Sequence, residues 1–223
     1  MSPTSGAGLR LRSFIGKGRR QRPYTGLFKV ASRAHLPRQT RDLRESIDAW
    51  WRRRAIPPTR DGIRGILDSM GIRSAVELLN RSHGLSLSDQ YWVKPESSDL
   101  EWDTVNFFTN PFDEELGRTL LTARSSSHRF SLNAPDASTG GDLPKRWTIA
   151  GDGTRILIKA GRTGQEPVNE LIASDLCSRL GIPAVRYNLG EYDNRPVSTC
   201  PEMLTDTRGT RIRMADSRIG EEG

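Results

Sequence analysis

The sequence predicts an α+β protein in which a helical N-terminal segment is followed by a small antiparallel sheet carrying one helix. Residues 41–82 contain three short helical patterns separated by turn signals. Apolar runs at 145–150 and 154–160 flank Gly151-Asp152-Gly153, which is typical of a hairpin turn. A longer helical pattern follows at 166–180. Together these patterns indicate an α+β fold.

Composition and periodicity divide the chain into four segments. Residues 1–25 are rich in Gly, Ser, Arg and Pro and are predicted to be disordered, as is the aperiodic tail at 205–223. Residues 26–127 form a mainly helical accessory region. Residues 128–204 hold the predicted sheet and its helix, and two further strand patterns lie at 184–190 and 197–203.

The net charge of +7 is spread unevenly over the 223 residues. Residues 1–64 hold 16 Lys and Arg against 4 Asp and Glu, which fits either a nucleic-acid-binding arm or a solvated basic segment. Cys177 and Cys200 form no metal-binding spacing, and reduced thiols fit a cytoplasmic protein. No apolar run approaches the ~20 residues of a membrane span, so we expect no membrane partner.

Capping and turn residues delimit the predicted helices. Thr59 is predicted to cap the second short helix and Ser74 the third. In the longer helix, Pro167 lies in the first turn and Gly181 just past the end, as helix boundaries prefer. Its apolar side chains recur at helical spacing and are predicted to form a buried stripe: Val168, Leu171, Ile172, Leu176 and Leu180.

The residues that indicate a chemical function are a glycine loop at 138–145, a lysine and a glutamate. Adjacent glycines at Gly140 and Gly141 let backbone N–H groups approach phosphates, although a plain turn has the same composition. Lys159 ends an apolar strand, and Glu170 lies in the helix that follows. The two can pair and aim the ammonium at phosphates, or Lys159 can simply reach water. Glu166 is a rival partner, but its place beside the first turn suits the positive helix N-terminus.

Much of the chain resembles the HipA-type serine/threonine kinases, in particular a branch in which a helical segment precedes the kinase small lobe. The resemblance covers roughly residues 30–204. It implies a kinase-like small lobe at 128–204, and it is carried by the stretches 46–64, 84–93, 101–112, 138–145, 156–159 and 166–174.

The resemblance implies a role for each matching residue. Gly140 and Gly141 match the glycines of the family's nucleotide-binding loop, and Lys145 matches the lysine of that loop. Lys159 matches the lysine that anchors ATP, and Glu170 matches the residue of the next helix that pairs with that lysine. The implied cofactor is ATP with Mg²⁺. Ser138 falls where the family carries a serine that can be autophosphorylated, and an ordinary turn serine is an equal interpretation.

The chain departs from this family after the small lobe. No H-x-D-x-x-x-x-N or D-F-G-like run follows residue 160, so we predict no catalytic residue and no metal ligand in the chain. The expected protein is a small-lobe fragment with weak ATP binding and no phosphotransfer alone. Its expected partner is a complementary kinase large lobe or an antitoxin-like protein.

Two other functions fit the same sequence. A non-catalytic nucleic-acid-binding protein would use Arg52, Arg53 and Arg54 with the helices at 41–82, unless these arginines are only a solvated helix end. A structural, antitoxin-like interaction protein would bind neither nucleotide nor nucleic acid. Aromatic residues at 84–109 are interspersed with acids, which favours packing in a core over stacking on bases.

Overall fold

A computed structural model of the protein describes residues 8–11, 28–30, 44–95, 98–123 and 130–204. The predicted tail at 205–223 lies outside the described residues, as does most of the segment 1–25. Gly8–Leu11 is nevertheless a strand, inside the stretch for which the composition predicts disorder. None of the helices in the described ranges is long and apolar enough to cross a membrane.

In the described part of the N-terminal half there are five short helices and a small sheet. Strands β1 (Gly8–Leu11), β2 (Phe28–Val30) and β3 (Trp92–Pro95) pair in the order β2-β1-β3, with β1 parallel to β3 and antiparallel to β2. The helices are α1 (Arg44–Arg53), α2 (Ile63–Ser69), α3 (Ala75–Arg81), α4 (Trp102–Val105) and α5 (Glu115–Thr122).

One predicted cap is confirmed and the other is wrong. Ser74 caps α3, and its hydroxyl accepts a hydrogen bond from the Glu77 N–H at 3.1 Å. Thr59 does not cap α2, because that helix begins four residues later, after Gly62, whose φ is +74°. The Thr59 hydroxyl instead donates to the carboxylate of Asp142 in the glycine loop.

The C-terminal half is a four-stranded antiparallel sheet with one long helix. A 3₁₀ turn (Pro135–Ser138) leads into β4 (Lys145–Ile149) and β5 (Arg155–Ala160), which form the predicted hairpin. Helix α6 (Gln165–Arg179) follows, and β6 (Asn188–Tyr192) and β7 (Arg195–Pro201) complete the sheet. The strand order is β4-β5-β7-β6. The α+β class is therefore confirmed.

Both faces of this sheet pack on the helical half. On one face, Trp147 and Leu157 join an aromatic cluster that includes Trp102 and Phe107. On the other face, Leu121 of α5 packs among residues of β5 and β7. Of the aromatic side chains at 84–109, Tyr91 is half-buried and the others are core residues, as the acidic residues between them led us to expect: Trp92, Trp102, Phe107 and Phe108.

The prediction of a buried apolar stripe on α6 is wrong. Of the five predicted residues, Leu171 is half-buried. The other four are exposed by 37%, 58%, 53% and 63%: Val168, Ile172, Leu176 and Leu180. The fully buried residues of α6 are instead Pro167 and Ser174. Helical periodicity identifies an apolar stripe correctly but does not show whether the chain itself covers that stripe.

Candidate phosphate-binding site

Lys159 and Glu170 meet on the side of the sheet that α6 covers. The ammonium of Lys159, on β5, donates to Oε1 of Glu170 at 2.8 Å. β5 ends one residue after Lys159, and α6 starts five residues after that end, so Glu170 sits in the second turn of the helix. The predicted pairing of these two groups is confirmed.

Tyr187 completes the surroundings of the Lys159 ammonium. Its hydroxyl accepts a hydrogen bond from Nζ, and its ring centroid lies 4.6 Å from the same nitrogen. Burial, together with the nearby Cys200 and Glu170, raises the pKa of the Tyr187 hydroxyl above its usual value, so the phenol stays neutral. Lys159 is therefore oriented by two side chains from separate elements.

Lys145 stands directly opposite Lys159 in the sheet, so both side chains project from the same face. Its ammonium donates to the carbonyl of Gly140 at 2.9 Å, and no carboxylate oxygen of the described residues lies within 4.0 Å of it. Burial, then the charges of Arg60 and Lys159, lowers the pKa of Lys145 to about 8. An anion bound here would favour the protonated lysine and so take up protons near neutral pH.

The glycine loop turns its carbonyl oxygens inward. The guanidinium of Arg60, in the turn before α2, donates to the carbonyls of Thr139 at 2.6 Å, Gly140 at 3.0 Å and Gly141 at 3.0 Å. Gly141 has φ +86°, and a Cβ there would lie 2.6 Å from the Lys145 ammonium. The positive φ explains why glycine occupies this position, since the flexible Lys145 side chain could move aside for a Cβ.

The amide groups of the same loop are free. Among the described residues, no protein acceptor receives the N–H groups of residues 140–143. A loop whose carbonyls are bound on one side and whose amides are unbound can accept an anion with its N–H groups. Lys145 and Lys159 place two positive charges side by side next to this loop, an arrangement suited to a phosphate chain.

Glu166, the rival partner for Lys159, has a different role. Its carboxylate accepts from the backbone N–H of Arg162 at 3.1 Å and from the Thr163 hydroxyl at 2.9 Å. The Glu166 N–H and these bonds lower the pKa of Glu166 to about 2. Its carboxylate therefore binds the loop at 162–163 that leads into α6, and not Lys159.

Ser138 lies inside the protein rather than on an open loop. It is 6% exposed, and its hydroxyl donates to the carbonyl of Leu85 at 2.5 Å. Phosphorylation would require the 3₁₀ turn to open first, because a buried hydroxyl cannot enter another active site.

The arginine triplet is split between surface and interior. Arg52 and Arg53 are exposed, but the Arg54 side chain is only 8% exposed and forms an ion pair with Asp89. Arg54 also donates to the carbonyl of Gly84 at 2.7 Å and stacks over Trp50 at 4.9 Å. The Arg54 side chain therefore takes part in contacts that stabilise the helical region.

Two members of the site were missed by sequence reasoning, Arg60 and Tyr187. They lie far along the chain from the loop and the lysine that they contact, and no spacing in the sequence marks them. The part of the chain that the structure describes contains no group of three His, Cys, Asp or Glu side chains that could hold a metal ion.

Comparisons of this chain with protein-family models, with curated proteins and with solved structures find no match.

Proposed function

We propose that residues 128–204 are a kinase-like small lobe that binds the phosphates of ATP, as the resemblance to the HipA-type kinases implies. The observation that carries the proposal is the row formed by Lys145 and the Lys159–Glu170 pair beside the unbound amides of 140–143. Kinase small lobes use such a lysine–glutamate pair to hold the phosphates of the nucleotide. In this proposal Mg²⁺ is bound by the phosphate oxygens and enters with the nucleotide.

For these residues we propose binding of the ATP phosphates without phosphoryl transfer. Transfer needs an aspartate that orients the acceptor hydroxyl and acidic groups that hold the metal. The 223 residues contain neither motif after residue 160. Catalytic aspartates from outside these 223 residues would have to supply the reaction.

Calorimetric titration with a series of ligands tests the function. We expect affinity to fall in the order Mg-ATP, Mg-ADP, AMP, adenosine, because each phosphate removed takes away acceptors for Lys145, Lys159 and the loop amides. Inorganic tripolyphosphate should bind with an affinity close to that of ADP. Equal affinity for ATP and adenosine, or no binding of either, would contradict the proposal.

The exposed stripe of α6 supports the proposed partner. Ile172, Leu176 and Leu180 are each more than half exposed, and Val168 extends the row along the helix. Solvent-exposed apolar rows of this kind commonly mark interaction surfaces. We propose that this face contacts the complementary catalytic lobe or an antitoxin-like protein.

Replacing Ile172 and Leu176 together by glutamine should reduce self-association and hydrophobic-dye binding while changing the free energy of unfolding by less than ~0.5 kcal/mol. The small change is expected because both side chains already face solvent. Sedimentation, dye fluorescence and urea unfolding measure the three quantities. Leu121→Gln is the control, since Leu121 is 5% exposed and its replacement should destabilise the protein strongly. A large loss of stability in the double variant would show that the stripe is covered.

A further inference from the structure

Arg60 connects the helical region to the glycine loop through a buried contact. It lies in the turn between α1 and α2 and is 2% exposed. Its Nε and Nη2 together reach the three successive carbonyls of Thr139, Gly140 and Gly141. A planar guanidinium can bind several acceptors at fixed angles, which a flexible lysine cannot do.

The same turn contacts both loops that border the two lysines. Thr59 donates to Asp142 in the glycine loop, and Asp61 accepts from Arg162 at 2.9 Å in the loop after β5. Asp61 and Arg162 are about half exposed, so this second contact contributes little stability. The buried Arg60 contact is therefore the main connection between the turn and the loop.

The Arg60 contact also fixes which way the loop's peptide groups point. Binding the carbonyls of 139–141 on the inner side turns the N–H groups of 140–142, which share those peptide planes, to the other side, where no acceptor of the described residues receives them. Without Arg60, these peptides could rotate, because Gly140 and Gly141 have no Cβ to restrict them. A ligand that needs the amides on one side would then have to order the loop when it binds.

We propose that Arg60 is a positioning residue for phosphate binding: it holds the glycine loop with its amides turned to the ligand and so couples the helical region to the nucleotide site. This inference rests on the proposed function. The ligand class is a polyphosphate chain, because Lys145 and Lys159 place two positive charges side by side next to the glycine loop. Arg60 itself contacts the loop and not the ligand.

The test compares Arg60→Met with Arg54→Met, which removes another nearly buried arginine that binds backbone carbonyls away from the loop. The first readout is the {¹H}-¹⁵N heteronuclear NOE of Gly140 and Gly141 without ligand. We expect it to fall in Arg60→Met, to fall less in Arg60→Lys, and to stay at the wild-type value in Arg54→Met. An unchanged NOE in Arg60→Met would overturn the inference, whatever the protein binds.

The second readout is tripolyphosphate affinity, measured well below the unfolding temperature of each variant. We expect about tenfold weaker binding for Arg60→Met, partial rescue in Arg60→Lys and no more than about twofold weaker binding for Arg54→Met. If Arg60→Met and Arg54→Met weaken tripolyphosphate binding equally, Arg60 only stabilises the fold in general, and the inference is overturned. If the wild type binds no polyphosphate but the NOE falls in Arg60→Met, the proposed function fails while the anchoring of the loop by Arg60 is supported.

Discussion

Lys159→Ala is expected to weaken Mg-ATP binding by about 100-fold or more. The substitution removes a charged donor, which contributes roughly 1.5–3 kcal/mol to a hydrogen bond with a charged acceptor. It also leaves the carboxylate of Glu170 without the ammonium that neutralises it at 2.8 Å, so that carboxylate would repel the phosphates. Calorimetry of the variant and the wild type measures the change.

Two further variants separate charge from orientation. Arg179→Gln removes one positive charge from the exposed end of the same helix and should leave ATP affinity within about twofold of the wild type. Glu170→Gln keeps the lysine charge but weakens its alignment, so we expect an intermediate loss. Wild-type affinity in Lys159→Ala would mean that this ammonium does not contact the nucleotide.

A large pH effect on stability is expected from Asp136. Its carboxyl group is completely buried in the 3₁₀ turn, where Oδ1 accepts from the Trp147 N–H at 2.9 Å and Oδ2 has no hydrogen-bond donor. Burial raises the pKa of Asp136 to about 7, although the Trp147 N–H and the charges of Arg146 and Arg60 act in the opposite direction. The folded protein therefore binds this proton more tightly than the unfolded chain does.

The Asp136 contribution to stability is fully present below pH ~4 and is lost as pH rises through about 7. The pKa difference corresponds to a loss on the order of 4 kcal/mol. Asp136→Asn keeps the acceptor for Trp147 and should remove this part of the pH dependence. Urea unfolding of both proteins between pH 4 and pH 8 measures it.

The comparison with Asp136→Asn is necessary because a second acid acts in the same direction. Burial raises the pKa of Glu202 to about 8, so a second part of the wild-type stability is lost as pH rises through about 8. Both proteins share that contribution. Parallel stability curves for the wild type and Asp136→Asn would show that Asp136 has an ordinary pKa in the folded protein.

Local signals predicted the sheet unit and the charged pair well. The hairpin of β4 and β5 follows from two apolar runs and the Gly151-Asp152-Gly153 turn, which act over a few residues. The Lys159–Glu170 pair was predictable because only eleven residues separate a strand end from the first turns of a helix. The cap of α3 by Ser74 is local in the same way.

Features that depend on distant residues could not be predicted. Arg60 binds carbonyls about 80 residues further along the chain, and nothing in its own neighbourhood distinguishes it from an exposed arginine. The exposure of Ile172 and Leu176 depends on which elements pack over α6, and the sequence pattern of a buried helix is the same. Thr59 was misassigned because its hydroxyl finds a tertiary acceptor in Asp142.

The most direct test of the phosphate site is an NMR titration of the ¹⁵N-labelled protein with Mg-ATP. We predict saturable shifts of the backbone amides of Gly140, Gly141, Asp142 and Leu143, accompanied by a shift of the Lys159 side chain. Saturation of other amides while those of the glycine loop and the Lys159 side chain remain unmoved would contradict it.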